Sequence, residues 1–336
     1  MNHRVKLSTS EIAHLWTTYL NDSLAKLMLE YFLKNVDDST VKEALEGALS
    51  TSEEHINFLN NLFEQENFPT PVGFTEKDVN KNARRLFTDE FYLYYLKNMA
   101  FIGGNGYSLA LGTSAREDIR QFFVQATNAS AKLYDNIAGI LLEKGLFMRP
   151  PQINIPQKID FVSKQSFLSG WFGERRPLTS VEIMNLFLNV ERNDLGRSLL
   201  TGFQQVAHSK KVKDYLSDGV KIASKHVEVF GSILSEAALP TPMIWNTQPT
   251  ESVEPTFSDK FIMFHSAALT AASTSHYGTS LGSSPRRDIG THYIRLISEV
   301  LKFGEDGANI MIENGWLEQP PSATDRQAFK NMNPGT

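Results

Sequence analysis

The chain has 336 residues, of which 41% are apolar and 21% charged, with a formal net charge of -5 and no cysteine. That length exceeds what one hydrophobic core usually organises, and the balance is that of a folded globular protein with two domains. The charge excludes long-range attraction to nucleic acid or an anionic membrane surface, and the missing cysteine excludes disulfides, thiolate nucleophiles and cysteine-ligated zinc.

The N-terminal segment MNHRVKLSTSEIAHLW lacks the apolar core and small-residue cleavage site of a signal peptide, and no later window approaches a membrane span. Together with the absence of cysteine, this predicts a cytoplasmic protein. A first helix opens at Ser8-x-x-Glu11, the capping-box pattern that satisfies orphan backbone N–H groups. A short turn at Asp37-Asp38 leads into a second helix, where Val41, Leu45, Ala48, Ser52, His55, Leu59 and Leu62 fall on one stripe. From about Phe68 to Leu86 a long proline-containing segment follows. A third helix then ends at the Gly112-Thr113 turn, and a fourth is expected from Ser114 to Gly145, ahead of Pro150-Pro151.

The second half repeats the first. Leu7, Glu11, Ile12, His55, Pro69 and Pro71 return as Leu178, Glu182, Ile183, His226, Pro240 and Pro242, and the capping box returns as Thr179-x-x-Glu182. After the long loop the offset is one residue shorter, so that Tyr107, Leu111, Gly112, Ser114, Arg116, Asp118 and Ile119 return as Tyr277, Leu281, Gly282, Ser284, Arg286, Asp288 and Ile289. The chain is therefore all-α, with two tandem four-helix bundles at 1–151 and 178–321, a linker at 152–177 and a C-terminal tail at 322–336. Because that linker carries Phe161, Phe167, Leu168, Trp171 and Phe172, it is expected to pack against the domains. Two short connections and one long crossover in each unit predict the up-down-down-up order of a ferritin-like bundle. Duplication predicts internal two-fold packing of the bundles, and further homo-oligomerisation stays open.

The segments WTTYLNDSLAKLMLEYFL, GFTEKDVNKNARRLFTDEFYLYYLKNM, SAREDIRQFF and GLFMRPP, with FSDKFIMFH, SSPRRDIG and EDGANIMIENGWLEQPP in the second copy, resemble domain-of-unknown-function family 3231. That resemblance covers nearly the whole chain. It implies ferritin-like bundles of the Bacillus type, distantly similar to spore coat protein F, and hence an association with sporulation. About activity it implies little.

Di-iron members of that architecture use a Glu from each of two helices and a Glu-x-x-His from each of the other two. Here position 52 is Ser and position 223 is Ala, three residues before His55 and His226, and the one Glu-x-x-His, Glu11 to His14, is not reproduced in the second copy. The inward histidines still need partners. If the first two helices are antiparallel about the Asp37-Asp38 turn, His55 lies level with Tyr19 and Asp22, and His226 with Asn193 and Asp194. A buried polar pair that fixes helix register is one reading; a small-ligand or mononuclear metal site is the other. Arg116 and Arg286, at the start of each fourth helix, are expected to pair with carboxylates, with anion binding as the alternative. No phosphate loop, nucleophile elbow or His-Glu-x-x-His occurs. The expectation is a non-enzymatic structural or binding protein without cofactor. The alternative is a redox protein holding iron, manganese or zinc around the two histidines.

Overall fold

A computed structural model describes residues 5–171, 175–242 and 247–326. Its described residues form eight long α-helices: α1 (Thr9–Asn35), α2 (Ser39–Gln65), α3 (Asp89–Thr113), α4 (Glu117–Glu143), α5 (Ser180–Val206), α6 (Lys210–Glu236), α7 (Asp259–Ser283) and α8 (Arg287–Glu313). Both capping boxes are formed, by Ser8 with Glu11 and by Thr179 with Glu182. The apolar stripes of α2 and α6 are buried along their whole length, His55 and His226 included. Gly145 and Gly315 end α4 and α8 at φ +67, the left-handed conformation that glycine adopts without a Cβ penalty.

Hydrogen bonds at the helix ends fix the topology. The Asp89 carboxylate at the start of α3 accepts the N–H of Asp38 at 2.8 Å, and Asp259 at the start of α7 accepts that of Ser209 at the same distance. Helices two and three of each unit therefore start at one end and run parallel, so the crossover spans the height of the bundle. At the opposite end the Ser10 hydroxyl donates to the Thr113 carbonyl. The order is up-down-down-up in both halves.

The fourth helix begins three residues later than the sequence suggests. Ser114 and Ser284 are C-caps of α3 and α7, and Ser114 Oγ donates back to the Ala110 carbonyl. What caps α4 is Glu11: one carboxylate oxygen accepts the N–H groups of Ala115 and Arg116, the other that of Ser8. A single buried carboxylate thus serves the N-termini of two helices. Burial pushes its pKa up, but the surrounding N–H donors outweigh that and hold it below the usual range.

The two bundles share one core. The largest apolar cluster runs from Met28, Phe32 and Leu45 through Phe91 and Tyr95 into Phe203, Leu216 and Phe261, while the two smaller clusters lie around Leu15 and Ile119 in the first bundle and Leu186 and Ile289 in the second. The crossovers pair with each other: Asn80 N–H donates to the Thr256 carbonyl at 2.7 Å, and Thr250 N–H to the Leu86 carbonyl at 2.8 Å. These two bonds are images of each other under the repeat, the mark of an isologous two-fold contact. On the same axis Tyr95 meets its own counterpart, His265, at 3.4 Å.

The linker is less packed than its aromatics suggest. Ile155, Ile159 and Phe161 are 91%, 87% and 90% exposed, and among the linker's described residues only 167–170 and Arg176 are withdrawn from solvent, with the Arg176 guanidinium 4.0 Å above the Phe167 ring. Phe172 lies outside the described residues.

Candidate functional site

In the first bundle, α2 carries His55 and α1 carries Asp22 on facing positions of the hairpin. His55 Nδ1 lies 3.0 Å from Asp22 Oδ2, both side chains being buried. Burial raises the Asp22 pKa, and hydrogen bonds from His55 and Ser52 oppose that rise. The edges of Tyr107 and Phe122 close over the imidazole, with ring centroids 5.5 and 5.2 Å away. Tyr19 is not part of this group; its ring packs on Phe63.

The second bundle builds its histidine differently. His226 Nδ1 lies 2.9 Å from the Tyr277 hydroxyl and Nε2 lies 3.3 Å from Glu299, while Asn193 reaches the same hydroxyl at 2.7 Å. Desolvation lowers the His226 pKa to about 4, and hydrogen bonds from Lys225 and His226 hold the Glu299 carboxylate below its usual range against its own burial. With a neutral ring and an acceptor-only carboxylate, one direction satisfies both ring nitrogens. Asn193 donates to Tyr277, Tyr277 donates to His226 Nδ1, and His226 Nε2–H donates to Glu299. Asp194 takes no part in this chain; its carboxylate is held by Arg197.

Arg116 and Arg286 are buried and bonded to carboxylates. Arg116 pairs with Asp118 at 2.6 Å and Glu66 at 2.7 Å, which raises its pKa; Arg286 pairs with Asp288 at 2.6 Å. The anion beside each of these helix N-termini is the protein's own: Glu11, or Glu182, which accepts the Arg286 N–H at 3.2 Å and is held by Arg176.

A dinuclear metal centre of the bundle type requires carboxylates from all four helices around two histidines. Each histidine here has one carboxylate, and among the described residues no three His, Asp or Glu side chains group closely enough to hold a metal ion. The residues present do not fit such a centre. Sequence reasoning missed Tyr277 and Glu299, although Glu299 carried a signal, because the repeat places Ala129 at that position in the first copy.

Two cavities lie where the bundles meet. One, of about 80 Å³, enters the second bundle and ends near His226; the other, of about 100 Å³, lies between α3, α4 and α5. Asn98 and Arg192 line both.

Two successive matches to one family model cover nearly the whole chain. The family model described as a protein of unknown function (DUF3231) matches residues 1–159 and again 166–329. A solved structure from Bacillus halodurans C-125, provisionally described as a spore coat protein, aligns at 19% identity and a TM-score of 0.41, covering 45% of this chain and 98% of its own. No curated protein matches the chain.

Proposed function

The chain belongs to the DUF3231 family, itself of unknown function, so its role is read from its own residues, and we propose a non-enzymatic binding or structural protein. One observation carries this reading: each inward histidine is hydrogen-bonded to side chains of its own bundle, His55 through Nδ1 to Asp22 and His226 between Tyr277 and Glu299. Such pairs fix helix register, because sliding a helix by one turn would strand a buried polar atom. They present no nucleophile activated by a base, and no proton donor facing a substrate.

The test is turnover. Protein incubated with iron, manganese or zinc salts is expected to leave the rates of oxygen and peroxide consumption at those of the free metals. A rate that saturates with protein and vanishes on His55→Ala would support the redox alternative instead. The sequence resemblance adds an expected place, in the cytoplasm or the spore of a sporulating cell. Immunodetection in fractionated spores checks it, and a chain confined to cells that never sporulate would remove it.

A further inference from the structure

Among the described residues at the junction of the two cavities, the Arg192 guanidinium is the charged group without a hydrogen-bonded or ion-paired partner. No described residue accepts a hydrogen bond from it or forms an ion pair with it. Its sequence neighbour Glu191 attracts it only at longer range, because that carboxylate is bonded to Lys97. Burial lowers the Arg192 pKa to about 10, which still leaves it charged at neutral pH. A half-buried cation is costly unless paired.

The surroundings give the missing partner a shape. Phe101 covers one face of the guanidinium, 4.2 Å from ring centroid to Cζ, so the N–H donors in the plane stay available as a fork. Asn98 and His276 stand on the same cavity wall. Burial and the Arg192 charge lower the His276 pKa to about 4, so it is neutral and the wall carries a single positive charge. One charge suits a monoanion and leaves a dianion half uncompensated. Beneath this rim Leu200, Ile222, Val300 and Phe303 make the walls largely apolar, with Ser266, Thr270 and Ser273 of α7 set among them.

The repeat supplies an internal control. The positions equivalent to Arg192, His276, Asn98 and Phe101 are Asn21, Gly106, Ala268 and Ala271, and Ser266 stands where the first copy has Leu96. Only one of the two pseudo-equivalent junctions has a charged, aromatic-covered rim.

We propose that this cavity is a binding site for a small monocarboxylate, its carboxylate on Arg192 between Asn98 and His276 and its short apolar tail in the core of the second bundle. The inference rests on the binding reading of the protein given above. Calorimetric titration of the full chain with acetate, butyrate and hexanoate tests it, with hexylammonium as the control of opposite charge. Saturable binding is expected, tightening by roughly fourfold per added methylene until the cavity is full, and absent for hexylammonium. Arg192→Asn, the residue of the other copy, is expected to weaken hexanoate by about tenfold or more. Gly196→Val, whose Cβ points into open space on the cavity wall, is expected to weaken hexanoate while sparing acetate. If Arg192→Asn fails to fold, Arg192→Lys, which keeps the charge and loses the fork, takes its place. Equal binding by wild type and these variants, or no saturable binding at millimolar hexanoate, would overturn the proposal and leave the non-enzymatic reading intact. Conversion of bound hexanoate to a product would do the reverse.

Discussion

A wholly buried neutral histidine makes the second bundle sensitive to acid. The His226 pKa lies at about 4 against 6.5 for the free side chain, and desolvation brings His265 to about 3. Between those values and 6.5 the unfolded chain binds more protons than the folded one, so stability is full above pH 6.5 and falls as the pH drops toward 4. For His226 the loss amounts to roughly 3 kcal/mol once the window is crossed. Thermal melting from pH 8 to pH 4 is expected to show a flat Tm that declines below about 6.5; a Tm that holds down to pH 4 would contradict the buried neutral ring. The hydroxyl of Tyr277 joins Asn193 to His226, whereas Tyr107 touches His55 only by its edge. Tyr277→Phe is therefore expected to cost about 1–3 kcal/mol in denaturant unfolding and Tyr107→Phe distinctly less; equal costs would show that the two histidines are held alike. Level arithmetic across a short hairpin brings Asp22 to His55 because both residues sit on adjacent antiparallel helices. It cannot find Tyr277 or Glu299, whose height depends on how α7 and α8 dock after a crossover.

At the scale of the helix, the chain ties its ends together with carboxylates placed far away in sequence. Glu11 and Glu182 each cap their own helix and the start of the fourth, and Glu182 additionally holds Arg176. Removing Glu182 strands N–H groups and also leaves the Arg176 guanidinium without its carboxylate, held only by the Phe167 and Pro177 carbonyls; removing Glu11 strands N–H groups alone. Glu182→Ala is expected to cost on the order of 3 kcal/mol or more and Glu11→Ala about 1–2 kcal/mol, read from urea midpoints. A smaller loss for Glu182→Ala than for Glu11→Ala would contradict that difference. Capping boxes, stripes and terminal glycines were legible because they are local chemistry. The start of α4 was not, since its cap comes from residue 11, and Ser114, which has the composition of a cap, spends its hydroxyl on Ala110.

The whole molecule is a dimer written into one chain, and its two-fold contact has drifted. Tyr31 meets Phe257 at 5.3 Å, and at the equivalent place Phe87 lies over Gly202, where a Cβ would come within 2.5 Å of the ring. Gly202→Ala is expected to destabilise both halves together by about 1–3 kcal/mol, seen as one shifted unfolding transition; two separate transitions would mean that the bundles do not share their core. The duplication and the crossover length made this architecture readable from the sequence. The uneven divergence of the junction, with Arg192 against Asn21, became meaningful only once the bundles were seen to meet there. The central claim is that the inward histidines are structural. Elemental analysis of protein purified without chelators or a His-tag, from cells supplied with iron, manganese and zinc, tests it most directly. Metal far below one equivalent per chain, with His55→Ala and His226→Ala merely less stable, is the predicted result; roughly one equivalent or more, lost in those variants, would contradict it.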